Sequence, residues 1–247
     1  MTFRTTAIRT ITRVLFACGA AASIAACGLS PEEEAAAIEK GIMQNPESRE
    51  LWSTIKTEYP QDFDALITQI QALGISGMQD EERVREVSLQ WLQNFFAKIG
   101  PDTVKAPASD LLAMSAAEAE FFQTMQTAAV EQCAAMAVGQ FVLVDPNNAI
   151  AAGAMTDRNT AMIRAAVAGR ANPQTYAQPT DAEWAQYQAS IAATGVAPYL
   201  QAALDSDEEL AALSTDEKCD LGVAVYTGIA DLDDEAEPVI AAYMLAP

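Results

Sequence analysis

The groups with the most chemistry open to them are four cysteines, Cys18, Cys27, Cys133 and Cys219, and 34 acidic side chains. The chain contains no histidine. That excludes His-activated nucleophiles, the usual general base near neutral pH and every His-containing metal site. Catalysis would have to run on carboxylates, Lys, Tyr, Cys or Ser. No Cys-x-x-Cys pair occurs, so nothing in the sequence activates a thiolate. For Cys133 and Cys219 the remaining chemistry is a disulfide. Its loop spans 86 residues, and closing a loop of that length stabilises by roughly 4 kcal/mol in the chain-entropy model. The alternative is two buried free thiols acting as small hydrophobes. Both cysteines sit in a Glu-x-Cys pattern, Glu131-Gln-Cys133 and Glu217-Lys-Cys219, which hints at two related helical units.

The acids cluster at Glu32–Glu34, Asp205–Glu209 and Asp231–Glu237. A calcium loop needs Gly at its sixth position and Glu at its twelfth. Counting from Asp231 places Ala236 and Ala242 there, and counting from Asp205 places Leu210 and Asp216. These acids fit helix starts better, where carboxylates meet the positive end of the helix dipole. Glu47-Ser48 is the only Glu-Ser pair and is similar to the opening of the lytic transglycosylase motif. The residues that follow, RELWSTIKTEYP, lack that family's Gly-rich continuation. Trp52, Trp91 and Trp184 lie on apolar stripes and are expected in the core, with a ligand-binding aromatic platform as the alternative. No catalytic residue, cofactor site or metal site is assigned.

The N-terminus carries a processing signal. Residues 1–13 contain Arg4, Arg9 and Arg13 and no acid, and residues 14–26 are small and apolar. A basic segment followed by a short apolar run is a secretory signal peptide; a bilayer-spanning helix needs about 20 residues. Ile24-Ala25-Ala26-Cys27 resembles the lipobox of bacterial lipoprotein precursors. The resemblance covers the first 30 residues or so. It implies that residues 1–26 are removed, that Cys27 becomes the lipidated first residue, and that residues 27–30 form a short tether to the body at 31–247. Lipidation of Cys27 also leaves an even pair of cysteines behind. The same resemblance implies export, attachment to a membrane through the lipid, and, with Gly28 rather than Asp after the cysteine, the periplasmic face of an outer membrane where one exists.

The elements that must position these groups read as helix after helix. Ser30-Pro31-Glu32-Glu33 has the form of a capping box opening a helix over about 31–44. Asn45-Pro46 reads as the next start, and Pro60 as the third. Val84, Val87, Trp91, Leu92, Phe95, Phe96 and Ile99 give an amphipathic helix ending before Gly100-Pro101. Residues 101–109 form a break and a candidate subdivision of the body. Ser109 or Ser115 is the candidate cap of a long helix that follows, and Ser115-x-x-Glu118, Thr180-x-x-Glu183 and Ser214-x-x-Glu217 repeat the capping-box pattern. FVLVDPNN (141–148) ends in a turn, and residues 157–169 and about 235–245 read as further helices. The expected fold is all-α, a multi-helix bundle or irregular helical array of about eight to eleven helices. No glycine-rich phosphate loop and no strand–helix alternation occurs.

The chain has 14 basic against 34 acidic residues, a net charge of −20. Loss of the three signal arginines makes the remaining chain 11 − 34 = −23. That balance speaks against a nucleic-acid surface and against electrostatic adhesion to anionic lipid. The expected role is a lipid-anchored, non-enzymatic scaffold or binding module with an envelope protein as a candidate partner. The alternatives are a carboxylate-dependent cell-wall glycan hydrolase or lyase, and a small-molecule carrier with a pocket between helices. One outcome is checked directly: thiol titration of the denatured, unreduced mature protein finds no free thiol, whereas two would rule out the Cys133–Cys219 bridge.

Overall fold

The structure, a computed structural model, describes residues 30–46, 48–74, 80–140, 142, 144–145, 147–233 and 235–246. The expected signal segment at 1–26, Cys27 and Glu47 lie outside the described residues. Among the described residues the fold is all-α with no strand. The helices are α1 (Pro31–Gln44), α2 (Arg49–Glu58), α3 (Pro60–Gln71), α4 (Glu81–Thr103), α5 (Ala108–Ala128), α6 (Val130–Ala137), α7 (Ala149–Ala171), α8 (Asp181–Ala193), α9 (Pro198–Ala202), α10 (Asp207–Ala212), α11 (Thr215–Ala230) and α12 (Ala236–Met244), with a 3₁₀ turn at Ala203–Asp205. Ten of the α-helices are a full two turns or longer.

Three of the four expected capping boxes form. The Ser30, Thr180 and Ser214 hydroxyls each accept the backbone N–H three residues on, and Glu33, Glu183 and Glu217 return a carboxylate to the cap N–H. The fourth does not form. α5 begins earlier, after Pro107, so Ser115 and Glu118 lie inside the helix and are both buried. The serine and the acid merely share a face at three-residue spacing.

Other boundaries also shift for identifiable reasons. α2 starts at Arg49 instead of Pro46; the Arg49 Nε donates to Met43 O at 3.1 Å across the turn, and Asn45 is buried. α4 continues through Pro101 to Thr103. A proline forfeits one helix bond and crowds the preceding turn, but here it stands in the last turn, which tightens into shorter-range bonds from Lys105 to Asp102 and from Ala106 to Thr103. α7 starts at Ala149 rather than 157, because Asn148 caps it. The Asn148 Oδ1 accepts the Ala151 N–H at 3.1 Å and its Nδ2 donates to Ala128 O at 2.6 Å.

Apolar burial falls into three clusters, and α7 contributes to each. Ile163 and Ala166 pack with Trp52, Ile55, Phe63, Leu66, Trp91 and Phe95 of α2, α3 and α4. Ala165 joins Leu111, Met114, Tyr187, Ile191, Leu221 and Ile240. Ala151 and Ala152 join Phe121, Phe122, Met125 and the two cysteines. α7 therefore packs on α2, α4 and α5. Small side chains allow that many neighbours. The tightest crossing is at Gly169, where an added Cβ would stand 2.0 Å from Asp102 O and 2.9 Å from Ala106 N. Both obstacles are backbone, one in the last turn of α4 and one in the turn after it, so neither can rotate away. Gly169→Ala is expected to lower stability by about 3 kcal/mol or more, at the upper end of overpacking costs, read as a fall in the urea midpoint without a change in slope.

Candidate functional site

The disulfide lies in the third cluster. Cys133 on α6 and Cys219 on α11 are joined, with Cα atoms 5.2 Å apart and both residues fully buried. The two Glu-x-Cys helices thus pack against each other. The bond has no solvent access, which suits a structural staple rather than a redox centre.

Sequence reasoning missed the most buried charge. Glu118 on α5 is 1% exposed and faces Arg158 on α7. The Arg158 Nε and Nη2 each donate to a separate Glu118 oxygen at 2.8 Å, a bidentate pair. Arg158 Nη1 also donates to Asn159 Oδ1 at 3.2 Å, and its guanidinium carbon lies 5.5 Å from the Phe121 ring centre. Burial alone would lower the Arg158 pKa; the charge and hydrogen bonds of Glu118 outweigh it and hold the guanidinium protonated. Beside the pair, burial and then the Glu118 charge push the Tyr226 phenol up, with Arg158 working against them. The signal for Glu118 was present: it is in phase with Leu111, Met114, Phe121, Phe122 and Met125, an acid standing on an apolar stripe.

Three carboxylates elsewhere, Glu183, Glu217 and Asp233, are shifted downward. Glu217 is drawn to about 2, first by the Ser214 hydroxyl and then by the Tyr199 hydroxyl, which both donate to it. Glu183 is lowered by Thr180, and Asp233 by the Ala236 N–H and the Gln186 amide. A general acid needs the opposite direction. Glu217 and Asp220 do share one cleft of about 370 Å³ with Gln126 and Tyr199. There Asp220 accepts from Gln126 at 2.6 Å, so both carboxylates are held as fixed acceptors. Ser48, of the Glu47-Ser48 pair, is buried, and its hydroxyl has no hydrogen-bond partner among the described residues.

A second concavity is a groove of about 510 Å³ bounded by α8, α9, the 3₁₀ turn and α12. Its wall carries Trp184, which stacks on Tyr187 at 5.5 Å and meets Tyr243 edge-to-face at 5.3 Å. Trp52 and Trp91 are core residues as expected; Trp184 is half-buried and lines this groove. Among the described residues no group of three or more Asp, Glu or Cys is placed to hold a metal ion. Comparison of the chain with protein-family models, curated proteins and solved structures finds no match.

Breaking the buried pair isolates a charge. Glu118→Ala is expected to cost about 3–5 kcal/mol. The double variant Glu118→Leu with Arg158→Met recovers most of that loss, since apolar replacement of a whole buried pair is close to neutral. Urea unfolding of the three proteins checks both values.

Proposed function

We propose that this chain is a lipid-anchored helical module of the cell envelope that binds and does not catalyse. The single observation that carries the reading is the junction at residues 24–33. Ile24-Ala25-Ala26-Cys27 has the lipobox form, and the first rigid element begins three residues later, where Ser30 and Glu33 exchange hydrogen bonds of 2.8 and 3.3 Å. Only Gly28 and Leu29 separate the anchor from the cap, so the body is held close to the bilayer. Its negative charge would otherwise keep it away from anionic lipid. Acyl chains contribute about 0.8 kcal/mol per buried CH₂, enough with more than one chain to overcome that repulsion. No helix among the described residues is long and apolar enough to cross a membrane.

Two features support binding over hydrolysis. The buried carboxylate, Glu118, is neutralised by Arg158. The carboxylates in the Tyr199 cleft are committed to hydrogen bonds. A surface that binds without reacting fits both. Metabolic labelling with a radioactive or alkyne-tagged fatty acid tests the anchor: wild-type protein takes up label and partitions with membranes, and Cys27→Ala does neither. Label persisting in Cys27→Ala would overturn the proposal.

A further inference from the structure

We infer that the groove between α8, α9 and α12 is a binding site for an uncharged, mostly apolar, ring-bearing small molecule. Its volume of about 510 Å³ falls within the 300–1,000 Å³ typical of small-molecule sites. The described lining contains no charged side chain, in a chain with 48 (14 + 34) of them. An anionic amphiphile would therefore enter without a cationic partner, and a cation without an anionic one, each at the cost of an unpaired buried charge. A neutral ligand meets no such cost.

The shape is set in advance. The Tyr187 hydroxyl donates to Val225 O at 3.2 Å, which fixes the ring at the floor of the groove. Trp184 stacks on it, so the aromatic wall is rigid before any ligand arrives. Gln201 Nε2 donates to the Gln188 carbonyl at 3.0 Å, tying α9 to α8 across the groove and leaving the Gln201 amide oxygen as an acceptor. The Gln188 side-chain amide and the Trp184 indole N–H make no hydrogen bond among the described residues. One hydroxyl, amine or amide on the ligand would find both donors and acceptors there, while Ile191, Pro198, Leu204 and Met244 receive its apolar part.

The test uses two probes of one ring skeleton, neutral N-phenylnaphthylamine and anionic anilinonaphthalene sulfonate, titrated into the purified full-length protein. The part of the energy transfer from tryptophan that is lost in Trp184→Phe reports proximity to Trp184. Ala202→Trp, on the exposed side of α9, fills the groove and subtracts whatever the anchor or its detergent binds. The expected result is saturable binding of the neutral probe at one site per chain, at least tenfold weaker binding of the anionic probe, and at least tenfold loss for the neutral probe in Ala202→Trp with an unchanged circular dichroism melt. If Ala202→Trp does not fold, Gln188→Ala takes its place, with a threefold or greater loss expected. Equal binding of the two probes, binding indifferent to the substitutions, or absence of saturation overturns the assignment. So does a concentration-dependent dimer that Ala202→Trp dissolves, which would make a second copy the occupant. None of these outcomes depends on whether Cys27 carries lipid.

Discussion

One buried contact aligns the two central helices, the bidentate pair between Glu118 on α5 and Arg158 on α7. α5 and α7 are the helices along which the apolar clusters adjoin, so the pair fixes the rotation and axial register of that seam. Hydrophobic contacts alone tolerate small slides between alanine-rich surfaces. Two parallel hydrogen bonds at 2.8 Å do not. Asn159 and the Phe121 ring close the remaining sides of the guanidinium, so the charge is enclosed rather than merely paired. A pair of this kind adds little net stability compared with apolar residues of the same volume, and its value lies in specificity.

The same economy of cations extends along α7. Arg164 pairs with Glu50, and Arg170 pairs with Glu58 at 3.0 Å while lying 4.4 Å over the Tyr59 ring. Arg158, Arg164 and Arg170 recur every six residues, and each reaches an acid on another helix. Lys56, Lys98 and Lys105 are likewise paired with Glu39, Asp62 and Asp102. More than half of the eleven cations beyond residue 26 are thus paired with acids. The exposed pairs contribute only about 0–1 kcal/mol each, yet they leave the outward field strongly negative. A surface with so large an excess of one sign favours solubility and discourages nonspecific contact. Against that field an uncharged groove stands out.

Helix identity was legible in the sequence wherever it is set locally. Ser30, Thr180 and Ser214 with their glutamates are local devices, and each forms as read. Ser115-x-x-Glu118 has the same letters but begins no helix, because Leu111 and Met114 extend the apolar stripe one turn further back and bury that turn. α7 was legible only in part. Its residues are buried on several sides, so no single apolar stripe marks its length, and its true start depends on Asn148 reaching Ala128 on another helix. Such long-range contacts leave no periodic trace. Glu118 could have been found as an acid in phase with apolar neighbours; its partner forty residues on could not. The groove was beyond reach for a related reason. Trp184 follows an ordinary helical stripe, and only the fold places α9 and α12 so that one face of it is left uncovered.

The proposed anchor and the groove belong to different parts of the helical array. In the proposed arrangement the lipid attaches ahead of α1, which packs on α2 and α3. The groove is built by α8, α9 and α12, which pack on α11 and α5. α7 joins the two sets through α2 on one side and α5 on the other. The helices adjoining the membrane attachment are therefore not those lining the groove, and ordering the tether places no demand on the groove's shape. The disulfide acts on the groove side of this division: Cys219 ties α11 to α6, and α11 carries Val225, whose carbonyl holds the Tyr187 hydroxyl. The crosslink limits how far the groove floor can shift, which favours a site formed in advance over one assembled by its ligand.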